Sequence, residues 1–171
     1  MNKEDLRWKK TEKAIREAFL SLRKEYDVQK IRIKELCAIA HINKSTFYAH
    51  YEDVFVLSEA LEDAFVISLC ASFPSLESDY GLSYLCTLPV REKEHMDLLF
   101  SGDRENRLAE KLSRFAKKRI LELRPEIASD PLAVAKLDYR LSGAYECWAK
   151  NRAHLSQADL VSAIRDWDAS L

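Results

Sequence analysis

The chain has 171 residues, 47% of them hydrophobic and 32% charged, which is enough apolar material for one core or two small helical units sharing an interface. Only three Gly and four Pro occur, which argues against an all-β or loop-rich architecture and against a glycine loop that cradles phosphate. The formal net charge of −1 conceals an asymmetry: residues 1–51 hold 12 Lys/Arg against 7 Asp/Glu, a balance of +5, and residues 52–171 hold 15 against 21, a balance of −6.

A basic N-terminal third on an acidic body suggests a polyanion-binding module carried by a solvated, non-binding remainder. The segment from Met1 to Lys10 is charged rather than apolar, so it does not read as an export signal. The longest mostly apolar stretch, Ala64 to Phe73, is about half of a membrane span. A cytoplasmic chain with no membrane association is therefore expected. Cys37, Cys70, Cys86 and Cys147 are widely spaced in apolar surroundings and read as reduced core thiols.

Apolar residues recur at helical spacing almost throughout, and no strand pattern competes. The first helix is predicted over Asp5 to Glu25, with an inward stripe of Trp8, Thr11, Ile15, Ala18, Phe19 and Leu22. A link from Tyr26 to Lys30 leads to a short helix over Ile33 to Ala40. His41-Ile42-Asn43 is a turn, and a second short helix covers Lys44 to Tyr51, with Asn43 as its N-cap. Asp53 caps a longer helix reaching Ser72, which Pro74 ends. Further helices are predicted near Glu77–Cys86, Pro89–Phe100 and Arg104–Leu123, with breaks at Pro89, at Ser101-Gly102-Asp103 and at Pro125. The last two run from Pro131 to about Arg152, and from Ser156, with a loose Ser156–Asp159 capping box, to about Ala169. The expected fold is all-α, with about nine helices. A helix-turn-helix domain over 1–52 joins a helical bundle over 53–171 without a flexible linker.

Three helices in residues 5–51, the last two short and joined by a three-residue turn, form a helix-turn-helix pattern. Ile33, Leu36, Ile39 or Ala40, Ile42 and Phe47 can build a small core with the first helix. Phe47 and Tyr51 lie four apart on one face. Lys44, Ser45, Thr46, Tyr48 and Ala49 include the opposite face, a palette of cation, hydroxyls, phenol and methyl that suits phosphates, base edges and thymine methyls. Periodicity alone fits DNA binding and a plain bundle about equally well.

The stretch from Ile31 to Asp53 resembles the DNA-binding signature of the TetR family of bacterial regulators, most specifically in Lys44-Ser45-Thr46-Phe47-Tyr48 followed by His50-Tyr51. Thr11 to Leu22 fits the same pattern, and the resemblance covers about residues 7–62. Gly143-Ala144-Tyr145-Glu146-Cys147-Trp148, a polar turn and a final helix ending near Trp167 resemble more loosely the last two helices of small members, including those like the dihydroxyacetone-kinase operon activator. The resemblance implies an all-α homodimer on double-stranded DNA, the last two helices pairing across a two-fold into a four-helix bundle. It implies that Thr46, Tyr48 and His50 meet the DNA backbone, and that Lys44, Ser45 and Lys34 lie close to bases or phosphates. Two positions depart from the pattern: His41 stands where many members have Gly, and Val54 where many have Lys, which removes one phosphate contact. The chain is also short for the family, which leaves little room for a large effector cavity.

Leu132, Val134, Leu137, Leu141, Leu160, Ile164 and Trp167 are the expected dimer surface. Tyr80, Tyr84, Phe100, Phe115, Tyr139, Tyr145 and Trp148 either line a ligand cavity or fill a core, and helical spacing favours core. Cys37 and His41 are four apart, with no third metal ligand nearby in sequence. The basic run Arg114 to Arg119 reads as a solvated helix face. No catalytic constellation, metal site or cofactor motif is present, so an enzyme is not expected. The leading expectation is a homodimeric repressor on a palindromic operator, released by a small, largely apolar effector seated among residues 53–152. The alternative is the same fold acting as a co-activator or protein-interaction module, its effector another protein.

Overall fold

The computed structural model describes residues 3–72, 85, 88–101, 105–156, 158–160 and 162–163. Among these every regular element is helical and there is no strand, in line with the all-α expectation. Helix α1 (Lys3–Arg23) is followed by a 3-10 turn (Val28–Lys30), α2 (Ile33–Ile39), α3 (Lys44–His50) and α4 (Val54–Ala71). Then come α5 (Val90–Leu99), α6 (Glu105–Leu123), a single turn α7 (Pro125–Ala128) and α8 (Pro131–Asn151). The helix predicted over Glu77–Cys86 lies, apart from Leu85, outside the described residues, and so do residues 164–171 of the last predicted helix.

Local chemistry explains the boundaries. The Asn43 side chain accepts from the Thr46 amide at 2.7 Å and starts α3. Asp53 accepts from the Phe55 and Val56 amides at 2.7 and 2.8 Å and starts α4. Asp130 accepts from the Leu132 amide at 2.9 Å, and Pro131 occupies the first turn of α8. Each cap satisfies amides that the helix itself leaves without partners. His41 follows α2 with φ of 54°, the left-handed conformation that the glycine of related turns adopts without cost.

Helices α2 and α3 have seven residues each, too short to persist alone in water, so packing holds them. Ile15, Phe19, Leu36 and Phe47 are fully buried and, with Val28, Ile31 and Tyr51, form the N-terminal core. One expected core position differs: Trp8 is 51% exposed instead of facing inward. Of Ile39 and Ala40, it is Ala40 that enters the core. Trp8 packs one side of its ring on α3, against the His50 ring, and leaves the rest outward.

The core runs without a break into the C-terminal part, where α6 packs on α8 and α4, and α5 touches both α1 and α4. Two polar links cross this packing. The Arg23 side chain, 1% exposed, donates from Nη1 to the Tyr26 carbonyl and from Nη2 to the Leu98 carbonyl and Ser101 Oγ, each at 2.8 Å. It thereby ties the end of α1 to the end of α5. On α4, fully buried Glu62 accepts from Ser58 Oγ and Arg107 Nε, both at 3.1 Å, with Lys111 Nζ at 3.6 Å. Arg107 also donates to Glu59 at 3.0 Å, and Lys111 pairs with Asp63. Burial would lower the Arg107 pKa, but Glu62 and Glu59 outweigh it and hold the guanidinium above its ordinary value.

The expected dimer surface needs correction. Leu137, Leu141 and Leu160 are at most 8% exposed within the single chain, because all three already belong to its own core. Leu132 and Tyr139 remain outward at 63% and 62%, Val134 is half-buried, and Ile164 and Trp167 lie outside the described residues. Of the aromatic set, Phe100, Tyr145 and Trp148 are core, Phe115 is half-buried and Tyr139 is exposed. Tyr80 and Tyr84 lie outside the described residues. Cys37 and Cys70 are buried. Burial raises both thiols, Cys70 to about 12, so neither is a ready nucleophile. No helix among the described residues is long and apolar enough to cross a membrane.

Candidate nucleic-acid interface

Helix α3 is fixed from beneath by Phe47, 0% exposed, with the Tyr51 ring 6.1 Å away on the same buried side. The helix period then turns Lys44, Ser45, Tyr48 and Ala49 outward, and all four are exposed. Tyr48 is 55% exposed, its ring meeting Phe47 edge-on at 5.6 Å. Lys34 is exposed in the first turn of α2, and Thr46 is half-buried. The structure thus gathers Lys44, Ser45 and Tyr48 on one open helix face, with Thr46 at its margin and Lys34 on the preceding helix.

The Ser45 and Thr46 hydroxyls both point to Asn43 Oδ1 at 2.7 Å. A hydroxyl donates once, so either group meets a phosphate only by rotating off Asn43. The cap survives that rotation, because the Thr46 amide stays bound to the same oxygen.

His50 is placed differently from what the resemblance implies. Its side chain is 2% exposed, its Nδ1 lies 2.9 Å from Glu12 Oε2, and the Trp8 ring stacks on it at 3.6 Å with a 22° tilt. The ring therefore joins α1 to α3 and does not open onto the surface that Tyr48 shares. Glu12 also accepts from Arg16 Nε at 2.8 Å and from the Tyr51 hydroxyl. Burial pushes the Glu12 carboxyl up, but hydrogen bonds from Tyr51, Arg16 and His50 outweigh it and hold the group below its ordinary value. Burial and the neighbouring carboxylate push the Tyr51 phenol up to about 12. Sequence reasoning missed Trp8 and Glu12 as members of this cluster. Both sit on a helix that reads as plain support, and only the packing of α1 on α3 brings them to His50. Val54 is 6% exposed, so packing occupies the place where a lysine would reach outward.

Away from this face, a concavity of about 820 Å³ opens between α5 and the end of α8. Leu85, Met96, Leu108 and Trp148 are apolar parts of its lining, and Lys93 and Arg152 are polar ones. Arg152 donates to Asp97 at 2.7 Å and lies over the Trp148 ring at 5.4 Å, a geometry that favours the cation on the ring face. Among the described residues no three His, Cys, Asp or Glu side chains gather as a metal cluster. Cys37 is buried while His41 is exposed. No protein-family model, curated protein or solved structure matches the chain.

Proposed function

We propose that the chain is a DNA-binding transcriptional regulator of the TetR type, working as a homodimer with α3 in the major groove. The observation that carries this reading is the open face of α3, where Lys44, Ser45, Tyr48 and Ala49 stand outward on a helix locked from beneath by Phe47. A rigid helix with a cation, a hydroxyl, a phenol and a methyl on its free side fits direct readout of base edges and contact with flanking phosphates. The basic balance of residues 1–51 supports the same partner. Dimerisation would use the outward face of α8, from Leu132 through Tyr139 to Gly143, together with the helix that follows it. Two-fold symmetry then sets the recognition helices about 34–36 Å apart, one turn of DNA.

The concavity between α5 and α8 favours a small-molecule effector over a protein one. Its mixed lining fits an amphipathic ligand better than a largely apolar one. We propose a repressor released by such a ligand as the form of regulation.

The test is binding to duplexes selected from a random pool, followed by salt titration of the selected and a scrambled duplex. Lys44→Ala should cost about 1–3 kcal/mol on the selected duplex and much less on the scrambled one if Lys44 reads a guanine. It should instead flatten the salt dependence by about one unit on both if Lys44 holds a phosphate. Unchanged affinity after joint replacement of Lys44, Ser45 and Tyr48 by Ala would remove α3 as the recognition helix.

A further inference from the structure

We propose that Trp8 is a DNA-backbone contact, its indole N–H donating to a phosphate beside the recognition helix. The inference rests on the DNA-binding reading above and takes it to a residue outside α3. Three observations support it. The first is exposure with rigidity. Trp8 is 51% exposed, yet it is not a loose side chain, because its ring lies 3.6 Å from the His50 ring, which Glu12 clamps at 2.9 Å. Its N–H has no hydrogen bond among the described residues, so the donor of a fixed, half-bare indole is unspent. An indole with an apolar body packed and a polar tip free is suited to a wet, polar interface.

The second observation is place. Thr46 and His50 are one helical turn apart and share a side of α3. Because Trp8 covers His50, the outward group at that corner of the surface is the indole and not the imidazole. The contact that the resemblance would give to His50 is therefore transferred to the residue stacked on it.

The third is charge. Arg7, Lys9 and Lys10 are exposed in the same turns of α1, and none is in an ion pair among the described residues. Leu6 is exposed beside them, but an apolar protein partner docking on Leu6 and Trp8 would have to desolvate these cations without compensation. A phosphate backbone neutralises them and accepts from the indole.

Backbone contacts carry no sequence information, so a mixed-sequence duplex at low salt is a sufficient probe. Trp8→Phe keeps an aromatic ring on His50 and removes only the N–H. It should weaken binding about tenfold, the scale of a hydrogen bond to a charged group. The slope of affinity against salt should stay unchanged, since no cation is lost, and so should the melting temperature. Trp8→Ala should weaken binding at least as much and also lower the melting temperature. The indole emission should change when duplex is added to the natural chain, and that change should vanish in Trp8→Phe, which retains the other two Trp. Wild-type affinity in Trp8→Phe, with the emission change retained, overturns the inference while leaving the role of α3 intact. Failure of the natural chain to bind the duplex at all overturns both.

Discussion

His41 adopts a φ of 54°, where an L-residue with a Cβ pays roughly 1–2 kcal/mol. The turn after α2 needs that conformation to send the chain back into α3. His41→Gly should therefore raise stability by up to about 1 kcal/mol, the relief being partly offset by the greater freedom of glycine in the unfolded chain. Urea denaturation would register this as a higher midpoint at constant slope, and a lower midpoint would show that the imidazole makes a compensating contact. The turn was legible in the sequence because its cause is local: a short helix ends at Ile39 and another begins at Lys44. The Asn43 and Asp53 caps were legible for the same reason, since each side chain binds amides within its own turn. The burial of His50 was not. Its partners Trp8 and Glu12 sit on α1, and nothing in the spacing of α3 distinguishes an imidazole that faces DNA from one that faces a carboxylate.

At the level of elements, periodicity located α1 to α6 and α8 because burial on one face leaves a trace every three or four residues. It could not say which neighbour each face meets. The Arg23 bond to Leu98 spans 75 residues and the Arg107 bond to Glu62 spans 45, so neither leaves a local pattern. The single turn α7 also escaped, because Pro125 reads equally as a break and as a helix start. The Glu62 cluster makes a test of how α4 is held. Removing one member of a buried ion pair strands its partners. Glu62→Ala should cost about 3 kcal/mol, near the low end for such pairs, because Glu59 and Asp63 still face Arg107 and Lys111. Denaturation of Glu62→Ala, Arg107→Met and the double variant measures the coupling. Additive losses would mean that the Glu62–Arg107 pair does not hold α4.

For the whole molecule, Leu132 and Tyr139, seven residues apart on one face of α8, are large apolar side chains that the described fold leaves outward. Tyr139→Glu would place a charge in the centre of the proposed two-fold contact. Sedimentation at micromolar concentration should give a dimer for the natural chain and a monomer for the variant, with helical content preserved. A natural chain that sediments as a monomer while folded would remove the two-fold arrangement, and with it the spacing of two recognition helices. The sequence overestimated this surface because periodicity cannot separate a leucine that faces the chain's own core from one that faces a second copy. Leu137 and Leu141 prove to be of the first kind. Helix α5 has a position of its own in this architecture: Lys93, Met96 and Asp97 form a wall of the concavity, and the carbonyl of Leu98 accepts from Arg23 at the end of α1. Free energy is a state function, so any ligand that shifts α5 and thereby changes the grip on DNA must itself be held more or less tightly when DNA is bound, by the same factor. Operator duplex and effector would then report on each other in both directions, and a binding isotherm for either one depends on the concentration of its counterpart.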